Sequence, residues 1–164
     1  AYLALQAAGE AHGLTLFGSR AVESMRLEKR YLHWKADILT EFDPFETGLH
    51  RFVTLGKEGF IGKPALEARH NQGPRKSLVA LSVGAEDRPA QGGASVMEGQ
   101  RVVGTVTSAA RGHRTGLTLA LAFVEPSLAA PDQALALDLL GDRVPARVLP
   151  PHASYDPENL RVRA

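Results

Sequence analysis

Six carboxylates crowd a short stretch near the start of the chain: Glu23, Glu28, Asp37, Glu41, Asp43 and Glu46. Any of them could exchange a proton with a bound substrate. Solvated surface charge is the default for five. Glu28 differs, because Arg26 and Lys29 crowd it inside an apolar segment. A fixed internal ion pair and a catalytic role are both open for it, the ion pair being the more economical. Histidines stand at 12, 33, 50, 70, 113 and 152. None forms the close i,i+4 pair of a helical zinc site, and a packed or hydrogen-bonded ring is the ordinary outcome for His33 beside Trp34.

A second group of functional side chains lies far along the sequence. Arg101, Arg111, His113 and Arg114 make a basic spot on what reads as a long hairpin. Such a spot can hold a carboxylate through charge-assisted hydrogen bonds, stay solvated, or meet single-stranded nucleic acid. The last use needs aromatic stacking platforms, and Phe123 alone is near. Gly56, Gly59 and Gly62 follow a strand-like run, but their spacing fits neither a dinucleotide fingerprint nor a phosphate loop. No G-x-S-x-G elbow occurs. The chain has no cysteine, so disulfides, thiolate metal sites and cysteine nucleophiles are excluded. No catalytic residue and no metal site is assigned.

These residues need elements to hold them. In 164 residues, 44% hydrophobic, there is material for one ordinary domain or a small domain with part of another. Nineteen Lys and Arg against eighteen Asp and Glu leave a charge of +1, which gives no strong field towards nucleic acid or membrane. No apolar run reaches membrane-spanning length. The chain begins abruptly within a helix-like pattern, as expected of part of something longer, and a cytoplasmic setting is expected from the lack of cysteine.

Helices are predicted at Tyr2–His12, Arg20–Lys29 and Pro64–Asn71, with one helical turn at Phe45–Thr47. Short strands are predicted at Leu14–Phe17 and Leu49–Leu55. Arg30 to Asp43 reads as irregular, with Tyr31 and Trp34 as buried anchors. After Gln72-Gly73-Pro74 the texture changes to strands at Ser77–Val83, Ala94–Met97, Arg101–Ser108, Leu117–Val124, Ala134–Leu140 and Arg143–Leu149. Pro89, Gly92-Gly93, Pro126 and Pro131 punctuate the loops, and Gly141-Asp142 is a two-residue connection. Leu117, Leu119, Leu121 and Phe123 alternate with Thr118, Ala120, Ala122 and Val124, a large face and a small face that suit a tightly curved sheet. The long hairpin is expected to close a small antiparallel barrel.

Several segments in order resemble one family. S-M-R-L-E-K-R-Y-L-H-W (24–34) is similar to its S-L-R-L-E-K-G-Y-x-H-W signature. D-P-F-E-T-G-L (43–49) and F-I-G-K-P-A-L (60–66) are similar to T-P-x-E-A-G-L and F-I-G-x-x-A-L. V-G-T-V-T-S (103–108), L-A-L-A-F-V (119–124) and S-Y-D-P-E-N-L-R-V-R (154–163) complete the set. The chain resembles the C-terminal half of the glycine-cleavage T-protein (aminomethyltransferase) family, and E-K, H-W and Y-D-P-E-N favour the branch fused to sarcosine and dimethylglycine dehydrogenases.

The resemblance implies an α+β chain: a partial ferredoxin-like α+β segment over 1–73, a six-stranded antiparallel Greek-key β-barrel over 74–151, and a tail over 152–164. It implies tetrahydrofolate as cofactor, a one-carbon unit passed to it from a methylated amine, and FAD only in an upstream domain. The expected partners are the folate itself and preceding domains of the same chain, with no membrane and with nucleic acid disfavoured. Folate-binding roles fall on Arg26, Glu28 and Arg51. Val22 stands where T-proteins carry a folate-contacting arginine, and Arg51 where the branch often has tyrosine. T-S-A-A-R-G replaces T-S-G-x-x-S. The family's catalytic aspartate lies before Ala1. A non-catalytic folate-dependent accessory protein is the alternative, although its K-G-C-Y motif has no counterpart in L-G-K-E-G-F-I-G. A nucleic-acid-binding barrel using Arg101, Arg111 and Arg114 is the third.

Overall fold

The computed structural model describes residues 1–84 and 90–161, so the loop proline Pro89 and the last three residues of the tail lie outside the described residues. Six strands form one closed antiparallel barrel: β1 (Ser77–Val83), β2 (Ser95–Glu98), β3 (Arg101–Arg111), β4 (Thr118–Val124), β5 (Ala134–Leu139) and β6 (Asp142–Val148). Their order around the barrel is β1-β4-β3-β2-β5-β6. The run β2-β3-β4 is a meander, and β1 returns beside β4, which is the Greek-key arrangement. Closure removes every free edge.

Strand β4 shows why the barrel can be so tight. Ala120, Ala122 and Val124 point into the main core with Leu81, Val96, Val106 and Leu137. Leu119 and Leu121 point outward and form a second cluster with Leu27. The small face is therefore the barrel interior, as the alternation predicted, and the large face is buried by a helix rather than exposed. Gly104 marks the closest crossing of β3 and β4, because a Cβ there would lie 2.1 Å from the Phe123 carbonyl oxygen. A bulge in β3 between Val106 and Ser108 sets Thr107 outside the regular pairing. The turn from β5 to β6 is Leu140–Gly141, one residue earlier than predicted. Both have positive φ, 57° and 95°, as a tight two-residue hairpin requires.

Residues 1–73 carry helices α1 (Tyr2–Glu10), α2 (Ser19–Glu28) and α3 (Lys63–Gln72). The two strands predicted here do not form. Leu14–Phe17 is irregular, and Leu49–Leu55 contains a 3-10 turn at His50–Phe52. An apolar stretch becomes a strand only beside another strand with free backbone groups, and every barrel strand is already paired on both sides. Neither α1 nor α3 buries a residue, whereas α2 buries Ser24, Leu27 and Glu28. Tyr31 and Trp34, predicted as buried anchors, are exposed. No helix among the described residues is long and apolar enough to cross a membrane.

Candidate functional site

The carboxylates predicted to be surface charge include the most buried polar groups among the described residues. Asp37 is 0% exposed and accepts four hydrogen bonds. They come from the Arg26 guanidinium at 2.6 Å, the His33 N–H at 2.8 Å, and the Thr107 and Ser108 hydroxyls at 2.5 and 2.6 Å. A buried carboxylate is tolerated only when its lone pairs are filled in this way. The sequence sign that was missed is the T-S pair at 107–108: two adjacent hydroxyls at a bulge, both aimed outward at one acceptor.

Arg26 completes the same network. Its five N–H donors go to Glu23 (twice), Asp37, Ser108 and the Tyr31 carbonyl. Glu28 is buried as well, but not in the ion pair predicted for it. One carboxylate oxygen accepts the backbone N–H groups of Arg114 and Thr115, at 2.6 and 2.8 Å. Two successive amides in a turn form a natural anion cradle, which leaves Arg26 and Lys29 to other partners. Gly112 is needed beside it, because a Cβ there would sit 2.9 Å from the Glu28 side chain.

The end of α2 also grips the tail. Tyr155 N–H donates to the Glu28 carbonyl at 2.8 Å, and Lys29 donates to the Asp156 carbonyl. Arg30 donates to the carbonyls of Pro150, Pro151 and Ala153. Glu46 makes a third seam. It is 1% exposed, and it accepts from the Arg75 guanidinium, the Arg75 N–H and the Asp43 N–H, while its own carbonyl takes the Leu78 N–H of β1. Burial pushes the Glu46 carboxyl up. The hydrogen bonds from Arg75 and Asp43, with the Arg75 charge, outweigh burial and hold it at about 2.

Two clefts open where residues 30–51 lie on the barrel. The first, about 450 Å³, is lined by Leu32, Ile38, Leu49 and Leu121, with Arg30 and Arg51 among its polar walls. Arg51 is exposed, and its guanidinium lies 4.8 Å from the centre of the Phe52 ring. The three predicted ligand residues therefore do not converge. Arg51 lines this cleft, and neither Arg26 nor Glu28 is part of its lining. The second cleft, about 520 Å³, runs along β3 under Phe42.

The predicted basic spot also divides. Arg101 and Arg111 stand at opposite ends of β3, roughly 30 Å apart along the strand. Arg101 is held by Glu98 and Glu125 at 2.7 Å, while Arg111, His113 and Arg114 are exposed near the hairpin tip. Among the described residues, no group of three or more histidines or carboxylates is placed to hold a metal ion.

Comparison with known proteins agrees with this architecture. Residues 76–156 match the glycine cleavage T-protein C-terminal barrel domain, and residues 1–57 match the GCVT N-terminal domain. The chain belongs to the glycine cleavage T-protein family. Similar proteins include the mitochondrial dimethylglycine dehydrogenase of Mus musculus, 34% identical over 90% of this chain and 17% of the relative. The mitochondrial sarcosine dehydrogenase of Mus musculus is 33% identical over 99% of this chain and 18% of its own length. The aminomethyltransferase of Streptomyces coelicolor is 36% identical over 89% of this chain and 40% of its own. The chain thus spans less than half the length of these relatives. Glycine cleavage system aminomethyltransferase T from Bartonella henselae shares the fold, with a TM-score of 0.75 at 23% identity over 80% of this chain and 37% of that structure.

Proposed function

We propose that this chain forms the rear wall of a tetrahydrofolate site in a T-protein-like enzyme that passes a one-carbon unit from a methylated amine, of the sarcosine or dimethylglycine type, to folate. The observation that carries the reading is the cleft at Arg51. Its apolar walls suit the flat body of a folate, and its exposed guanidinium suits a carboxylate of the glutamate tail. When bound, tetrahydrofolate supplies the nitrogen acceptor for the one-carbon unit.

In this reading Arg51 touches the ligand, and Arg26 and Glu28 are positioning residues. Arg26 has no donor left for a ligand. Through Asp37 it fixes the 33–42 segment, as Glu28 fixes the hairpin tip and the tail. Residues 1–73 belong to a ferredoxin-like middle domain, 74–151 to the barrel and 152–164 to a tail. Preceding domains of the same protein cover the exposed apolar side chains of α1 and of residues 14–17, and they bring the reacting group and, in the dehydrogenase branch, FAD. A cytoplasmic setting goes with the cysteine-free sequence, and cell fractionation checks it.

Calorimetry of tetrahydrofolate with the protein carrying this chain tests the assignment. Saturable binding that grows with added tail glutamates and falls about tenfold in Arg51→Gln is expected. No binding by the intact protein, or equal binding by Arg51→Gln, contradicts it.

A further inference from the structure

Arg30 and Pro151 both line the Arg51 cleft, and they are in contact with each other. The contact begins with how α2 ends. Tyr31 N–H donates to the Arg26 carbonyl at 2.8 Å and Arg30 N–H to the Leu27 carbonyl at 3.0 Å, which together make a Schellman motif. Arg30 takes the left-handed position of that motif, with φ 56°. Glycine is the usual residue there, because a Cβ is disfavoured in that conformation. Strained backbone of this kind persists where the surrounding structure holds it, and it gathers at ligand sites.

The side chain shows what the strain accompanies. Its guanidinium donates to the carbonyls of Pro150, Pro151 and Ala153 at 2.6, 2.9 and 3.0 Å. Nη1 serves the first two and Nη2 the third. Among the described residues, no other hydrogen bond ties residues 150–153 to the rest of the chain. Neither proline has an N–H, and the Ala153 N–H turns back to the Pro150 carbonyl. The segment therefore has almost no donors with which to pair with a strand.

Pro151 is exposed, so its place in the cleft wall depends on these bonds rather than on packing. Burial lowers the pKa of the Arg30 guanidinium, and its acceptors are neutral carbonyls rather than carboxylates. A planar guanidinium fixes the mutual geometry of several acceptors, which a flexible ammonium does not.

We infer that Arg30 is a positioning residue for the ligand cleft: by holding the carbonyls of Pro150, Pro151 and Ala153 it sets the Pro151 wall, and so governs affinity without touching the ligand. This role rests on the assignment of the cleft to tetrahydrofolate.

Arg30→Gly in the intact protein is the test, because glycine accepts φ 56° and the variant relieves the backbone as it removes the guanidinium. Hydrogen exchange, which needs no ligand, is expected to quicken about tenfold at Ala153 with the β4 amides unchanged. In calorimetry, tetrahydrofolate is expected to bind about tenfold more weakly. Pro151→Gly is expected to weaken binding by a similar factor. The double variant is expected to lose no more than about twofold beyond either single one, as for two residues acting through one wall. Unchanged exchange at Ala153, or unchanged affinity despite faster exchange, overturns the inference and leaves the folate assignment standing. Losses that multiply in the double variant mean that Arg30 reaches the ligand itself, and they overturn it as well. If the unaltered protein binds no tetrahydrofolate, the assignment of the cleft fails and the positioning role falls with it.

Discussion

The barrel and the section in front of it are built on opposite terms. The barrel buries a continuous apolar core of its own, in which Leu81, Val96, Ala122, Val124 and Leu137 are all essentially inaccessible. Residues 1–73 bury almost nothing apolar beyond Leu27. Leu3, Leu5, Leu16 and Phe17 are each more than 60% exposed, yet three buried carboxylates fasten the section to its neighbour. The difference teaches that one chain can join two parts mainly by polar pins set around a small shared cluster, here Leu27 with Leu119 and Leu121. Hydrophobic contact is forgiving of small displacements, whereas a saturated carboxylate fixes direction as well as distance.

The largest expected effect comes from cutting a pin. Asp37→Ala leaves the buried Arg26 guanidinium and the Ser108 hydroxyl without their shared acceptor. Removal of one partner from a buried charge network costs about 3–5 kcal/mol, readable by urea denaturation. A loss under about 1 kcal/mol would mean that the pins are decorative. Next comes Leu137→Ala in the barrel core, expected to cost about 2–5 kcal/mol, against no more than about 0.5 kcal/mol for Leu3→Ala on α1. Equal costs would erase the contrast between the two regions.

Glu46 sharpens the comparison through pH. Its carboxyl is held at about 2 in the folded chain, below its ordinary 4.5, so the folded state binds its proton more weakly than the unfolded state. The stabilisation it provides is complete above pH 4.5 and is lost as pH falls towards 2. Glu46→Gln is expected to flatten that part of the stability curve, and an unchanged acid limb would remove Glu46 from the seam. Among the pins the smallest effect is expected from Glu28→Gln, which keeps an acceptor for the Arg114 and Thr115 amides but removes the charge, about 1 kcal/mol.

The barrel was legible in the sequence because its signals are local. Alternation in Leu117–Val124 and Gly-containing turns fix five of the six strands within a residue, while β3 runs three residues past its predicted end, to Arg111, because the bulge at Thr107 breaks its alternation. The front section was less legible. Whether Leu14–Phe17 and Leu49–Leu55 are strands depends on a neighbouring strand to pair with, and that is a long-range fact. The exposure of Tyr31 and Trp34 depends in the same way on what is packed nearby. At the site, the family motifs pointed to Arg26, Glu28 and Arg51. They could not show that the first two face inward, because Arg26 meets Ser108 across 82 residues and Glu28 meets Arg114 across 86. Asp37 looked like one more surface acid until the bulge at Thr107 brought its partners into place.

Amide hydrogen exchange on the intact chain tests the contrast most directly. The account predicts that β1, β3 and β4 exchange together by global unfolding, that α2 follows them closely because it is pinned, and that α1 and α3 exchange orders of magnitude faster by local opening. Protection of α1 equal to that of β4 would contradict it.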